Sequence, residues 1–134
     1  MLSEFIFHHI GVATKSITST SMIYVNAGFC HSDIIEDNIQ GVKVSFLSKN
    51  EMPRIELVEP LKPDSPVNLI LKKNGTTAYH FCYEVEDIFL AIEKLKENKF
   101  VALSKPVPAK AFDNRKICFL YNKDIGLIEL LEKR

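Results

Sequence analysis

Two histidines and two glutamates recur in this chain as if one unit had been written twice. His9 opens the stretch HIGVATKSI and His80 opens HFCYEVEDI, 71 residues later. Glu56 stands between Ile55 and Leu57, and Glu129 between Ile128 and Leu130, an offset of 73. A carboxylate on an apolar strand costs several kcal/mol to bury unless it is paired or coordinated. Two imidazoles and two carboxylates brought together by the packing of two like modules would form a two-histidine, two-carboxylate site for a divalent metal. Taken one at a time, such residues have ordinary readings. A strand histidine is commonly a satisfied structural group, and a strand glutamate commonly faces water. Their repetition in register argues for the chemical reading.

The elements that must hold these residues follow the same repeat. Ile17 matches Ile88 and Gly28-Phe29 matches Lys99-Phe100; after two extra residues, Phe46-Leu47 matches Phe119-Leu120 and Ile55-Glu56-Leu57 matches Ile128-Glu129-Leu130. Residues 5–13 and 78–85 alternate as strands, with Ala78, His80, Cys82 and Glu84 on one face. Ile88, Ala91, Ile92 and Leu95 have helical spacing within 86–98. The counterpart, 16–27, is rich in Ser and Thr, and is assigned as helix because the repeat demands it and Gly28 suits the position after a helix end. Strands are expected at about 30–37, 41–49 and 53–59, and again at 100–104, 115–121 and 126–132. The unit is therefore βαβββ, used twice in an α+β chain: module one at about 5–59, a linker helix at about 60–77, and module two at about 78–132. Ser65 and Pro66 would start the linker helix as N-cap and first residue, and Asn74-Gly75 would end it. His8 aligns with Tyr79 and His31 has no histidine counterpart, so both are read as structural or surface residues.

Composition limits the alternatives. The 134 residues are 46% hydrophobic and carry 17 basic and 17 acidic side chains, giving a formal net charge of zero. That balance, with no basic run, leaves no electrostatic footprint for nucleic acid or anionic lipid. No apolar run is long enough for a membrane helix, and the N-terminal stretch lacks the cationic start of a signal peptide. The cysteines Cys30, Cys82 and Cys118 are odd in number and read as buried free thiols. A cytoplasmic, single-domain protein is expected.

Beyond the repeat, the chain resembles the vicinal oxygen chelate superfamily, and within it most of all the methylmalonyl-CoA epimerases. The resemblance rests on His9-Ile10-Gly11-Val12-Ala13, QGVKVSFL (40–47), IELVEPL (55–61), DSPV (64–67), HFCYEVEDI (80–88), KICFLY (116–121) and GLIEL (126–130), whose order and spacing span nearly the whole chain. It implies a single glyoxalase-like domain over 1–134, with two βαβββ modules forming a curved mixed sheet around a metal cleft. It also implies a homodimer, and metal ligands at His9, Glu56, His80 and Glu129, although some epimerases carry Gln at the Glu56 position. The metal would be one divalent ion: Co, Mn, Ni or Zn.

The activity so implied is epimerisation or isomerisation of a 2-substituted acyl thioester, such as methylmalonyl-CoA, through an enolate. Two features depart from the epimerase pattern. The loop Pro106–Asn114 replaces a glycine-rich one, and Val44 stands where some epimerases place a glutamate base. With Val44 unable to take a proton, Glu129 and Glu56 are expected to act as catalytic bases as well as ligands, with Asp113 as an alternative. Lys105, Lys110, Arg115 and Lys116 are candidates for the phosphates of the carrier. A glyoxalase I-type lyase on a glutathione adduct uses the same metal chemistry, and a metal-free small-molecule binding protein could share the fold. A ring-cleaving dioxygenase would use two His and one Glu, so the second carboxylate counts against it.

Overall fold

The computed structural model describes residues 4–134. Contacts divide them into two units: residues 9–79, and residues up to His8 together with 80–134. The boundary falls inside the first strand, β1 (Ile6–Ala13).

The unit 9–79 contains helix α1 (Ile17–Asn26), short strands β2 (Cys30–His31) and β3 (Ile35–Asp37), long strands β4 (Val42–Ser48) and β5 (Ile55–Pro60), and helix α2 (Val67–Asn74). Its strands lie in the order β2-β4-β5-β1, with β3 also on β4. β1 and β5 run parallel, whereas β4 and β5 are antiparallel. Buried Ile17, Leu47 and Leu57, flanked by Val12, Tyr24, Phe29 and Ile55, join α1 to the sheet.

The unit around 80–134 repeats this plan. It contains β6 (Thr77–Val85, most of it), α3 (Ile88–Lys96), β7 (Val101–Ala102), β8 (Val107–Ala109), β9 (Arg115–Asn122) and β10 (Gly126–Glu132). The order is β6-β10-β9-β7 with β8 on β9, and β6 is parallel to β10. The apolar stripe read from the sequence, Ile88, Ala91, Ile92 and Leu95, is buried with Phe100, Cys118, Leu120, Ile128 and Leu130.

The repeat extends to the helix starts. Ser16 Oγ accepts the Ser19 amide at 3.1 Å, and Asp87 Oδ1 accepts the Leu90 amide at 3.1 Å, so each helix has a side-chain N-cap. A glutamate from the last long strand of each half adds a second contact. Glu59 accepts the Ile17 amide at 2.8 Å and Glu132 accepts the Ile88 amide at 3.0 Å. Both anions sit where the helix dipole is positive. Ile17 and Ile88 keep the first offset of the repeat, and Glu59 and Glu132 keep the second.

Several expectations change in detail. The strand expected over 30–37 is split into β2 and β3, because Ser32 turns its hydroxyl to the Phe46 amide (2.8 Å) and to the Asp33 carbonyl (3.1 Å). Pro106–Asn114 is not wholly loop: it holds β8 and a 3-10 turn, Lys110–Phe112. Ser65 does not cap α2 with its side chain; its backbone carbonyl accepts the Asn68 amide at 3.0 Å, and its buried hydroxyl meets no partner. Gly75 ends α2 at a φ of 70°, which a glycine tolerates without strain. Cys82 and Cys118 are buried and in no disulfide, but Cys30 is exposed on the two-residue edge strand β2. Among the described residues, no helix is long and apolar enough to cross a membrane.

Candidate functional site

Strand register places the polar residues in the same way in each half. In the parallel pair β1/β5, Gly11 lies opposite Glu56, and His9 is two residues back on the same face. In the parallel pair β6/β10, Cys82 lies opposite Glu129, and His80 is two residues back. Side chains alternate along a strand, so a spacing of two returns the imidazole to the face of the carboxylate. The resulting pairs have equal separations: His9 Nε2 is 3.2 Å from Glu56 Oε1, and His80 Nε2 is 3.2 Å from Glu129 Oε1.

An aromatic ring completes each pair. Phe46 lies opposite Glu56 in the β4/β5 ladder, and Phe119 opposite Glu129 in the β9/β10 ladder. Phe46 meets His9 edge-on at 5.9 Å between centroids, and Phe119 meets His80 edge-on at 5.1 Å. These contacts limit rotation of the imidazoles and keep Nε2 directed at the carboxylate. The alignment of Phe46-Leu47 with Phe119-Leu120 marked these rings as equivalent in sequence, but their contact with the histidines required the folded register.

All four polar residues are removed from water: His9 is 0%, Glu56 5%, His80 4% and Glu129 2% exposed. Each half thus offers one imidazole nitrogen and one carboxylate oxygen, side by side in an apolar setting. Such borderline nitrogen and hard oxygen donors suit a divalent first-row ion, so the residues present fit the expected metal.

The other residues singled out from sequence fall elsewhere. Val44 is buried opposite Val58 and Ile35, with no group able to carry a proton. Asp113 and Asn114 are consecutive left-handed residues, with φ of 56° and 63°, at the exposed end of the 3-10 turn. Two such residues in a row store strain of the kind found at functional loops. Arg115 is committed within its own unit: Nη1 lies 2.9 Å from Glu84 Oε2 and donates to the Lys133 carbonyl at 3.2 Å. Lys116 Nζ rests over the Phe89 ring at 5.2 Å. His8 packs edge-on against Phe112 at 5.4 Å and His31 is exposed, in keeping with structural and surface roles.

Comparison with known proteins gives a consistent result. A profile of the glyoxalase/bleomycin resistance protein/dioxygenase superfamily matches residues 8–119. The uncharacterised protein YqjC of Bacillus subtilis (strain 168) is 30% identical over 131 residues, covering 94% of this chain and 91% of that protein. The ethylmalonyl-CoA/methylmalonyl-CoA epimerase of Cereibacter sphaeroides is 32% identical over 127 residues, covering 92% of this chain and 94% of the enzyme. Among solved structures, a variant of Streptomyces coelicolor methylmalonyl-CoA epimerase in complex with 2-nitronate-propionyl-CoA superposes with a TM-score of 0.82 at 26% identity, covering 95% of this chain and 96% of that one. The α+β fold expected from the sequence is the fold these proteins share. The chain belongs to the glyoxalase/bleomycin resistance protein/dioxygenase superfamily.

Proposed function

We propose that the chain is an epimerase of 2-substituted malonyl-type acyl-CoA thioesters, in which His9, Glu56, His80 and Glu129 together hold one divalent metal ion. The observation that carries this reading is the identical register of the two His–Glu–Phe sets, each holding an imidazole beside a carboxylate away from water. The likeness to methylmalonyl-CoA and ethylmalonyl-CoA epimerases supports the substrate class. A Co, Mn, Ni or Zn ion in this donor set would act as a Lewis acid, stabilising charge that develops on the thioester oxygen as the α-proton leaves.

The protein's own groups then have separate tasks. His9 and His80 stay fixed as neutral donors, oriented by Phe46 and Phe119. Epimerisation requires a proton to leave one face of the α-carbon and another to arrive on the opposite face. With Val44 in place of an acid, we assign these transfers to Glu56 and Glu129, one for each face. One carboxylate gains the proton as the C–H pair passes toward the carbonyl, and a proton supplied from the other side re-forms the C–H bond. The reaction is neutral in atoms and electrons. The apolar walls around both carboxylates keep bulk water off the reacting carbon during the transfer, and the two carboxylates exchange their protons with solvent between turnovers.

We further propose that the protein works as a homodimer in the cytoplasm. Phe7 and Phe81, stacked edge-on at 6.1 Å and each nearly half exposed, supply apolar surface for a second copy. The free thiols are in keeping with a reducing compartment.

Two measurements test the catalytic reading. Metal analysis of the purified chain should find about one divalent ion, with strong loss in His80→Ala; full occupancy in that variant would overturn the ligand assignment. Deuterium uptake at the α-carbon in D₂O, measured with methylmalonyl-CoA, ethylmalonyl-CoA and a glutathione hemithioacetal, should be fastest for a CoA thioester. Turnover confined to the glutathione adduct would transfer the reading to a glyoxalase.

A further inference from the structure

A second concavity lies wholly within the unit 9–79, on the helix side of its sheet. Its volume is about 480 Å³, and its lining includes Ser21, Met22 and Val25 of α1 with His31, Asp33 and Ile34 of the β2–β3 connection. That volume falls within the range of small-molecule sites. Ser45, at the floor, lies opposite Leu57 on the face that packs against α1, while the next residue, Phe46, faces His9. The thickness of the sheet therefore separates this cleft from the His9–Glu56 pair.

The polar inventory of the cleft is nearly complete without a ligand. Ser45 Oγ donates to the Ser32 carbonyl at 2.9 Å, and Ser32 Oγ receives the Phe46 amide and donates to the Asp33 carbonyl. Ser21 is the exception. It is only 8% exposed, it lines the cleft, and its hydroxyl has no hydrogen-bond partner. A buried hydroxyl left unmatched is destabilising, so it marks the place for a polar atom from outside. Around that point α1 presents apolar side chains to solvent: Met22 is 63% exposed, Val25 41%, and Ile34 across the cleft 48%.

Among the lining residues Asp33 is the one carboxylate. Asp33 is exposed and takes part in no ion pair among the described residues. His31 Nδ1 lies 3.0 Å from the Ser32 carbonyl, which can only accept, so Nδ1 carries a proton and Nε2 is an acceptor when the ring is neutral. The cationic end of the α1 dipole, which would attract an anion, is already answered by Glu59 and Ser16. The cleft thus offers a carboxylate, an imidazole acceptor and, on its α1 wall, one buried hydroxyl without a partner.

We infer that this cleft is a second binding site, distinct from the proposed metal centre, for an apolar primary amine carried as its ammonium ion. The alkyl part lies along Met22, Val25 and Ile34, and the ammonium donates to Ser21 and toward Asp33. Polyphosphate carriers such as coenzyme A are disfavoured there by the Asp33 charge.

The test is a titration of the full, metal-loaded chain with hexylamine at pH 7.5, followed by backbone amide NMR, with hexanol and hexanoate as comparison ligands. Saturable shifts confined to 17–25 and 31–34, tightest for hexylamine and weakest for hexanoate, are expected. Ser21→Ala should weaken hexylamine by roughly three- to tenfold, the range for one hydrogen bond. Asp33→Asn should remove the preference for the amine over the alcohol. Met22→Trp fills the cleft from an exposed helix position and should abolish binding if Ser21→Ala proves unfoldable. Equal affinity for hexanoate, shifts spread over the whole chain, or unchanged binding in both Ser21→Ala and Met22→Trp would overturn the inference.

Discussion

If His9, Glu56, His80 and Glu129 hold a metal as proposed, removing it should lower the melting temperature by an amount that depends on His80. An ion that binds only the folded chain stabilises it by about 2.7 kcal/mol when free metal is at roughly 100 times Kd. Unfolding entropy near 60 °C is about 2.1 cal/mol/K per residue, or roughly 0.28 kcal/mol/K for this length. Chelation should therefore lower Tm by about 10 °C in the wild type. Loss of the His80 imidazole takes away one of the four proposed donors, all of them nearly excluded from water. If affinity falls about 100-fold, the same free metal only equals Kd, and the stabilisation shrinks to about 0.4 kcal/mol, or one to two degrees. His80→Ala also strips Glu129 of the partner 3.2 Å away, which lowers the melting temperature with or without metal. Comparing each protein with its own chelated form removes that baseline. The assay is circular dichroism melting at fixed free Co²⁺ and after excess EDTA. A wild-type shift below about 2 °C, or a shift in His80→Ala as large as in wild type, would refute the four-ligand assignment.

Other expectations follow from individual contacts. Glu129→Gln should retain much of its metal, because an amide oxygen can coordinate, yet lose at least about 10²-fold in α-deuterium uptake; near-normal uptake would show that Glu129 is only a ligand. Leu95→Ala removes a fully buried side chain of the α3 core and should cost about 2–5 kcal/mol in urea unfolding, whereas Asp87→Ala removes one N-cap and should cost about 1 kcal/mol. Burial pushes the Cys118 thiol above its ordinary value of 9.0. The folded chain therefore holds that proton where the unfolded chain has released it, and stability should fall as pH rises past about 9; the decline between pH 8 and pH 10 should be smaller in Cys118→Ala. Iodoacetamide at pH 8 should label exposed Cys30 well before Cys118.

Sequence alone was sufficient wherever a local rule repeats. The two offsets paired His9 with His80 and Glu56 with Glu129, since a duplicated unit must reuse its polar exceptions at equivalent places. The stripe Ile88, Ala91, Ile92 and Leu95 defined α3, because helical period and burial coincide there. The weak α1 was legible only through its stronger copy. What the sequence left open depends on partners far along the chain. No local pattern announces that Ser32 would break one strand into β2 and β3, that Arg115 would be held by Glu84, or that Cys30 would lie at an exposed edge. Register decided the site: Gly11 opposite Glu56 and Cys82 opposite Glu129 set each imidazole beside its carboxylate, and the antiparallel ladders brought Phe46 and Phe119 against them. A shift of one residue in any of these ladders would have turned the slipped strand's side chains to the other face, so their meeting belongs to the tertiary structure.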